Sequence, residues 1–579
     1  MGEADQHVVL RAMVDELVRC GVRTAVTSPG SRSSPLVFAL LGDGRLDCHS
    51  VIDERSSAFF ALGSAKVTGM PAVVTSTSGT AAANHLPAVV EAWEAGVPMI
   101  VLTADRPPEL REVGAGQAID QIKLYGRFAK WFFELGTHAA TPERLRWART
   151  LACRLVWTAL DDRPGPVHLN VALREPLVPP RELPPDASGR SGGRPRVLRT
   201  SGSDGGSVPT LGAHLAGARR PVLVVGRSEP RPDRAATGKA VAAWAARHGV
   251  PVLSDPLGGA RRGPAAVAYY DALLRNEAFA GQVVPDLVVR VGDLPTSKPL
   301  RGWLAALPEE TVHVGFDPAG AWHDPDGVLG LVLAADPAGA LQGARADQIE
   351  EGWTTTWQQA DAAAARALGE TLGDEVSEPA VAARLLASLP AEAVLVVASS
   401  MPVRDVETFS PAREDPPRVL SNRGANGIDG TVSTALGVAC AHPGPTVLLT
   451  GDVALVHDLG GLAACARAGL ALTIVLVDNA GGGIFDFLPV AAAGAGYEQH
   501  VATPPRVDFA HAAATAGLAY RPVSSLEEIA PAEAPTLLHV RSERSANVEL
   551  HRRCWAAVHR ALYDGEARRG DGLPLDELE

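Results

Sequence analysis

Two short oxygen-bearing side chains, Asp452 and Asn479, stand 27 positions apart, each just past an apolar run of strand length. Val447-Leu448-Leu449 leads to Gly451-Asp452; a helix-like segment follows; the run 473–477 then ends in Asp478-Asn479 and a glycine tract. Two parallel strands joined by a helix finish at the same sheet edge, so these groups converge there as hard oxygen ligands. Asp, Asn and a backbone carbonyl at Gly481 suit a small divalent cation, Mg²⁺ or Mn²⁺, which also takes phosphate oxygens and water. The chemistry implied is capture of a metal diphosphate. Taken alone, a Gly-Asp pair after a strand reads equally well as an ordinary turn.

Other candidates lie far from this pair. Val51-Ile52-Asp53-Glu54-Arg55 puts a carboxylate at the end of a short apolar strand, ahead of a small-residue helix over 56–66. By itself Glu54 is also what the helix macrodipole favours at an N-terminus. Arg32, Arg106, Arg404 and Arg423 stand in turns beside Pro, Gly or Ser, where a guanidinium gives planar, permanently charged, bidentate contacts to carboxylates.

Such groups need a scaffold that gathers strand ends, and the chain is patterned for one. Apolar runs of four to seven residues alternate with Ala-rich helical stretches, which predicts an α/β fold with parallel sheets. The first series covers 1–180, with strands expected near 24–27, 72–75, 98–103 and 167–171. Residues 181–207, dense in Pro, Gly, Ser and Arg, read as a linker. The second series, 208–350, has no complete G-x-G-x-x-G after a strand, so it reads as a structural middle domain and not as a flavin or nicotinamide site. A connecting segment, 351–376, leads to the third series, 377–579, which holds Asp452 and Asn479; its acidic tail, 571–579, is expected to fray.

At 579 residues the chain exceeds a single core, which fits three domains. A net charge of −13 leaves no basic surplus for nucleic-acid phosphates. The six cysteines form no C-x-x-C pair and read as small buried hydrophobes, not a zinc framework. The N-terminus is acidic and leads into an amphipathic helix, unlike a signal peptide, and apolar runs stop well short of a membrane span. The expected location is the cytoplasm.

Several blocks together resemble a known family. The series Gly451-Asp452-Val453 to Asn479 is similar to the thiamine-diphosphate fingerprint, which opens with Gly-Asp-Gly and closes with Asn; Val453 departs from it. Thr27-Ser28-Pro29-Gly30-Ser31-Arg32-Ser33-Ser34-Pro35-Leu36, Thr103-Ala104-Asp105-Arg106-Pro107-Pro108-Glu109-Leu110, Gly116-Gln117-Ala118-Ile119 and Ser421-Asn422-Arg423-Gly424-Ala425-Asn426-Gly427-Ile428-Asp429-Gly430 resemble one branch of these enzymes. That branch is the 2-succinyl-5-enolpyruvyl-6-hydroxy-3-cyclohexene-1-carboxylate synthases of menaquinone biosynthesis, in which the glycine at the Val453 position is commonly relaxed. The likeness runs from Val8 to Val540 and is weakest in the middle third.

The resemblance implies three doubly wound parallel-sheet domains of the thiamine-diphosphate-dependent decarboxylase type, with the pyrimidine on the first and the diphosphate on the third. It implies thiamine diphosphate with Mg²⁺ or Mn²⁺ held by Asp452, Asn479 and Gly481. Glu54 would hydrogen-bond the pyrimidine and favour its imino tautomer, Ile428 would prop the bent cofactor, and Ile484, Phe485 and Leu488 would form an apolar wall. The implied reaction is a carboligating transfer, with 2-oxoglutarate as donor and isochorismate as acceptor. Ser31, Arg32, Arg106 and Gln117 match acceptor-side positions; Ser400, Arg404 and Arg423 match positions around the donor-derived unit. Lys298 matches half of a middle-domain Lys-Arg pair, with Pro299 where the arginine is usual. Sites shared between subunits imply a homodimer or homotetramer. Two other readings stay open: another thiamine-dependent 2-oxo acid decarboxylase or carboligase, acting on pyruvate in an acetolactate synthase-like way, and a catalytically silent metabolite-binding relative. Arg404 and Arg423 disfavour the first, and joint retention of Glu54, Asp452 and Asn479 disfavours the second.

Overall fold

The Val- and Leu-rich runs become central strands buried on both faces, because in a parallel sheet the crossover helices cover each side. The computed structural model describes residues 2–199, 208–230 and 237–567, and these hold three parallel sheets. The first comprises β1 (Thr24–Thr27), β2 (Asp47–Ser50), β3 (Ala72–Ser76), β4 (Met99–Asp105), β5 (Trp131–Leu135) and β6 (Pro166–Ala172), in the order β2-β1-β3-β4-β6-β5. The second has β7 (Pro221–Val225), β8 (Val252–Ser254), β9 (Leu287–Val291), β10 (Val312–Phe316) and β11 (Leu331–Leu333), in the order β11-β10-β9-β7-β8. The third has β12 (Val394–Val397), β13 (Arg418–Leu420), β14 (Thr446–Gly451), β15 (Thr473–Asp478), β16 (Ala519–Pro522) and β17 (Thr536–Arg541), in the order β13-β12-β14-β15-β17-β16. Counted from its own first strand, the third sheet repeats the order of the first. In both, the order reverses beside the first strand, and such a switch point opens a crevice at the carboxyl ends.

One core joins these two sheets. Val26, Val74 and Val101 of the first share a buried cluster with Val396, Leu448 and Leu476 of the third. Between them lie the helices Glu54–Thr68 and Thr431–Ala441, which approach so closely that a Cβ on Gly63 would stand 2.0 Å from the Thr434 carbonyl oxygen, and one on Gly437 1.9 Å from that of Phe60. No side chain larger than hydrogen fits either place.

The expected strands at 24–27, 72–75, 98–103 and 167–171 fall on β1, β3, β4 and β6. The strand expected at Val51 is displaced: β2 ends at Ser50, Ile52 is 67% exposed, and Asp53 caps the helix Glu54–Thr68 by accepting from the backbone N–H groups of Arg55 and Ser56. As an edge strand with one neighbour, β2 keeps the polar sequence Asp-Cys-His-Ser. Segment 351–376 is mostly the helix Trp353–Leu372, anchored by the fully buried Trp357. Cys48 and Cys440 are half-buried, not core residues, and all six thiols are free. Residues 181–199 of the linker carry only the short 3₁₀ turn Ser191–Gly193; 200–207 and the tail 571–579 lie outside the described residues. No helix among the described residues is long and apolar enough to cross a membrane.

Candidate active site

Register brings the first pair together. Gly451 of β14 pairs with Val477 of β15, so Asp452 and Asn479 leave the sheet side by side. They line a cavity of about 670 Å³ with Ser400, Arg404, Arg423, Ile428, Gly481, Ile484 and Phe485. The middle unit lines it too, with Arg227, Asp255, Asp293, Thr296 and His323 from the loops after its strands and Arg301 from the helix Lys298–Ala306. Leu488, 46% exposed, and Lys298, at the exposed start of the helix Lys298–Ala306, do not line it. Arg301, one turn beyond Lys298, does.

The acid-amide pair fits a cation. Asp452 is buried, and each carboxylate oxygen accepts one backbone N–H, Oδ1 from Val453 at 2.8 Å and Oδ2 from Gly481 at 2.7 Å, with lone pairs to spare. Burial pushes its carboxyl up to about 6, opposed by those two N–H groups and reinforced by Asp478. A dication beside it would reverse that balance, since the ion is then the largest local charge. Asn479 donates its Nδ2 to Glu378 at 3.0 Å, while its Oδ1 is buried with no partner. An orphaned amide oxygen in the same cavity wall as a buried aspartate is what a hard metal ion would satisfy. Gly481 sits at φ 138°, where a Cβ would meet the Ala502 carbonyl oxygen at 2.7 Å, so the backbone is free to approach a ligand only because no side chain is present. Its own carbonyl accepts from Gly483 N–H at 2.9 Å and keeps a second lone pair.

Two guanidiniums point the rest of the cavity at an anion. Arg404 donates to the Ser400 carbonyl at 2.6 Å and Arg423 to Ser399 Oγ at 3.3 Å, and neither is ion-paired among the described residues. Burial lowers the pKa of both, and for Arg423 the neighbouring charge of Arg404 lowers it further. Placing two cations together in a partly dry wall is costly unless a carboxylate comes to meet them. Ile428, Ile484 and Phe485 supply apolar surface around this charge. Backbone strain concentrates here too: Ser400, Asn426 and Thr503 line the cavity with positive φ, and Ala480 beside it does the same.

The remaining candidates gather at the carboxyl edge of the first sheet. Arg106 donates to Ser78 Oγ at 3.1 Å and to the Gly116 carbonyl at 2.8 Å; Gln117, at φ 56°, donates to the Ser78 carbonyl at 3.1 Å. Arg32 donates to the Leu173 carbonyl at 2.9 Å and lies 3.4 Å from the exposed Glu175 carboxylate, with Ser31 exposed beside it. Burial and then the charge of Arg106 lower the Arg32 pKa, so the two cations are neighbours. The half-buried Glu54 carboxylate accepts one hydrogen bond among the described residues, from Asn84 Nδ2 at 3.4 Å. None of Glu54, Ser31, Arg32, Arg106 or Gln117 lines the cavity that holds Asp452.

Two buried acids escape sequence reasoning. Glu378, first residue of the helix Glu378–Ser388, lines the cavity and accepts from Asn479 and from Ser542 Oγ at 2.8 Å. Burial pushes its carboxyl up to about 7, aided by Asp405 and Asp452 and opposed by those two donors. Glu91, in the helix Leu86–Ala95 of the first unit, accepts from the backbone N–H groups of Gly424 and Ala425 at 2.9 and 2.6 Å, directly after Arg423. In sequence both read as ordinary helix-surface acids, and only Ser-Glu-Pro at a helix start hints otherwise.

Family comparison agrees with this architecture. Residues 8–124 match the thiamine pyrophosphate enzyme N-terminal TPP binding domain, 215–397 the middle domain of thiamine pyrophosphate enzymes, and 403–542 the C-terminal TPP binding domain. Fold and strand-end chemistry are those of thiamine pyrophosphate enzymes. A 2-succinyl-5-enolpyruvyl-6-hydroxy-3-cyclohexene-1-carboxylate synthase of Geobacillus thermodenitrificans is 42% identical, over 97% of this chain and 98% of the relative. Synthases of that name from Halobacterium salinarum and Chloroflexus aurantiacus are each 41% identical, the first over 90% of this chain and 91% of the relative, the second over 97% of both. The chain belongs to this synthase family.

Proposed function

We propose that the protein is a transferase that decarboxylates 2-oxoglutarate and adds the resulting four-carbon unit to isochorismate, a step of menaquinone biosynthesis, using thiamine diphosphate and Mg²⁺ or Mn²⁺. The observation that carries the reading is one cavity holding both the Asp452–Asn479 pair, with its orphaned amide oxygen, and two partly buried guanidiniums that have no ion-pair partner among the described residues. Bound thiamine diphosphate supplies the electron sink for the acyl carbanion left when carbon dioxide departs.

The chain's own residues do the rest. Asp452, Asn479 and the Gly481 carbonyl hold the cation with its diphosphate, and Ile428 and Ile484 fix the ring and exclude water. Arg404, Arg423 and Ser400 bind the carboxylates of the donor. Glu54 holds a proton at the pyrimidine nitrogen. Ser31, Arg32, Arg106 and Gln117 take the acceptor carboxylates, with Arg301 and not Pro299 as the middle-unit arginine. In this scheme 1–180 carries the pyrimidine half, 208–350 the middle and 377–579 the diphosphate half.

The scheme requires a second copy, as homodimer or homotetramer. Support comes from the separation of Glu54 from the cavity, and from Ile52 and Val113, each 67% exposed, with Ile119 also exposed beside Gln117. Exposed apolar groups around half a site mark an interaction surface. Six free cysteines fit a reducing cytoplasm.

Following loss of 2-oxoglutarate with and without isochorismate tests the proposal. Consumption of 2-oxoglutarate that accelerates with isochorismate is expected; turnover of pyruvate instead would replace it with the acetolactate synthase-like reading.

A further inference from the structure

We propose that Glu378 is a positioning residue that locks the Asn479 carboxamide with its oxygen toward the metal ion. The inference rests on the reading that Asp452 and Asn479 hold the cation.

An asparagine amide can turn either end to a ligand, and only its surroundings choose. Glu378 Oε1 lies 3.0 Å from Asn479 Nδ2 and is shared with Ser542 Oγ at 2.8 Å. Oε1 accepts from both Asn479 Nδ2 and Ser542 Oγ, so it presents lone pairs at this contact, which admits the amide nitrogen and repels the amide oxygen. The consequence is visible on the other side of the group: Asn479 Oδ1 is left buried, unpartnered, in the wall shared with Asp452. Both ends of the brace are firm. Glu378 is 4% exposed on the first turn of its helix, whose Ser377 cap accepts from Ala380 N–H, and Ser542 is pinned by its own N–H to the Asp478 carbonyl at 2.9 Å.

Calorimetric titration of thiamine diphosphate into the full-length protein at stepped Mg²⁺ concentrations tests this without any turnover. Glu378→Ala is expected to raise the half-saturating Mg²⁺ concentration by about 10- to 100-fold, the usual cost of losing a group that orients a ligand. Glu378→Gln keeps an acceptor oxygen for Nδ2 and is expected to stay within about threefold of wild type, because that acceptor is what orients the amide. Glu378→Asp, which keeps a carboxylate but withdraws it from Nδ2, carries the same expectation as Ala with less risk to folding. Asp452→Ala serves as the control and is expected to abolish the Mg²⁺ dependence. If Asp452→Ala loses it while folded Glu378→Ala or Glu378→Asp does not, the positioning role is wrong although the cation site stands. Equal loss in Gln and Ala also overturns it, since charge and not orientation would then matter. An unaffected Asp452→Ala removes the cation reading itself.

Discussion

The carboxyl edges of the first and third sheets share a strand order but are finished differently. At the third, Asp452, Asn479 and Glu378 are all buried along one cavity, and the Asn479 amide oxygen is left unsatisfied. At the first, Arg106 and Gln117 donate to neutral carbonyls and a serine, Arg32 to the Leu173 carbonyl and, at 3.4 Å, to the exposed Glu175 carboxylate, the Glu54 carboxylate accepts one long contact among the described residues, and Ile52 and Val113 stand in the open. One edge lines a cavity with buried acids, guanidiniums and apolar side chains. The other is an open surface of cations and exposed apolar side chains. The same topology serves both because function resides in the strand-end loops and not in the sheet.

The sharpest test of that contrast is the lone acid on the open edge. Glu54→Gln preserves size and hydrogen bonding, so cofactor affinity, set at the closed edge, should stay near wild type. Turnover should fall by about 10²–10⁴-fold, the usual worth of general acid-base assistance. Proton exchange at the thiazolium carbon, followed by NMR, checks it: exchange at the wild-type rate in the variant would take Glu54 out of the activation step.

A smaller effect should divide the arginines. Arg404 and Arg423 face the closed cavity, whereas Arg32 and Arg106 sit on the open edge, so the pairs should read different substrates. Losing a bidentate contact to a charged group forfeits about 1.5–3 kcal/mol, roughly ten- to a hundredfold. Arg423→Ala should slow carbon dioxide release from 2-oxoglutarate alone. Arg32→Ala or Arg106→Ala should leave that release intact and raise the isochorismate requirement. Rapid-quench measurement with donor alone, then with acceptor added, separates the steps; equal failure of all variants with donor alone would erase the division.

What could be read in the sequence follows the same contrast. β14 and β15 carry the apolar runs Val447-Leu448-Leu449 and Ile474-Val475-Leu476-Val477 because both faces are covered, and the candidate ligands at their ends announce themselves by type and spacing. The strands β2 and β16, Asp-Cys-His-Ser and Ala-Tyr-Arg-Pro, lie at sheet edges with one neighbour each, and exposure removes the apolar signature. Lys298 and Leu488 match by position, yet helix geometry turns Arg301 and not Lys298 to the cavity and leaves Leu488 outside it. Glu378 and Glu91 are illegible for a different reason. Their partners lie far along the chain, Asn479 and Ser542 for one and Gly424 and Ala425 for the other, so nothing local marks them as buried.

Glu91 supplies the finest test, because it belongs to the first unit yet serves the third unit's cavity in the same chain. Its two oxygens clasp the N–H groups of Gly424 and Ala425, and Lys66 Nζ, 3.8 Å away and bonded to Glu229 at 2.7 Å, holds the carboxylate from behind. The clasp closes on the residues that follow Arg423, so it sets where that guanidinium points. Glu91→Gln keeps the volume but replaces one acceptor by an NH₂ group facing a backbone N–H. An unpaired buried donor costs about 1–3 kcal/mol, part of which the loop relieves by moving. The expected outcome is a rise in KM for 2-oxoglutarate of about three- to tenfold, on the order of 1 kcal/mol, with kcat and Mg²⁺-dependent cofactor binding near wild type. A merely structural role would lower the melting temperature and leave the KM-to-kcat split untouched. A parallel loss of cofactor affinity would show that the closed cavity depends on the first unit as a whole, and the contrast between the two edges would then be one of exposure alone.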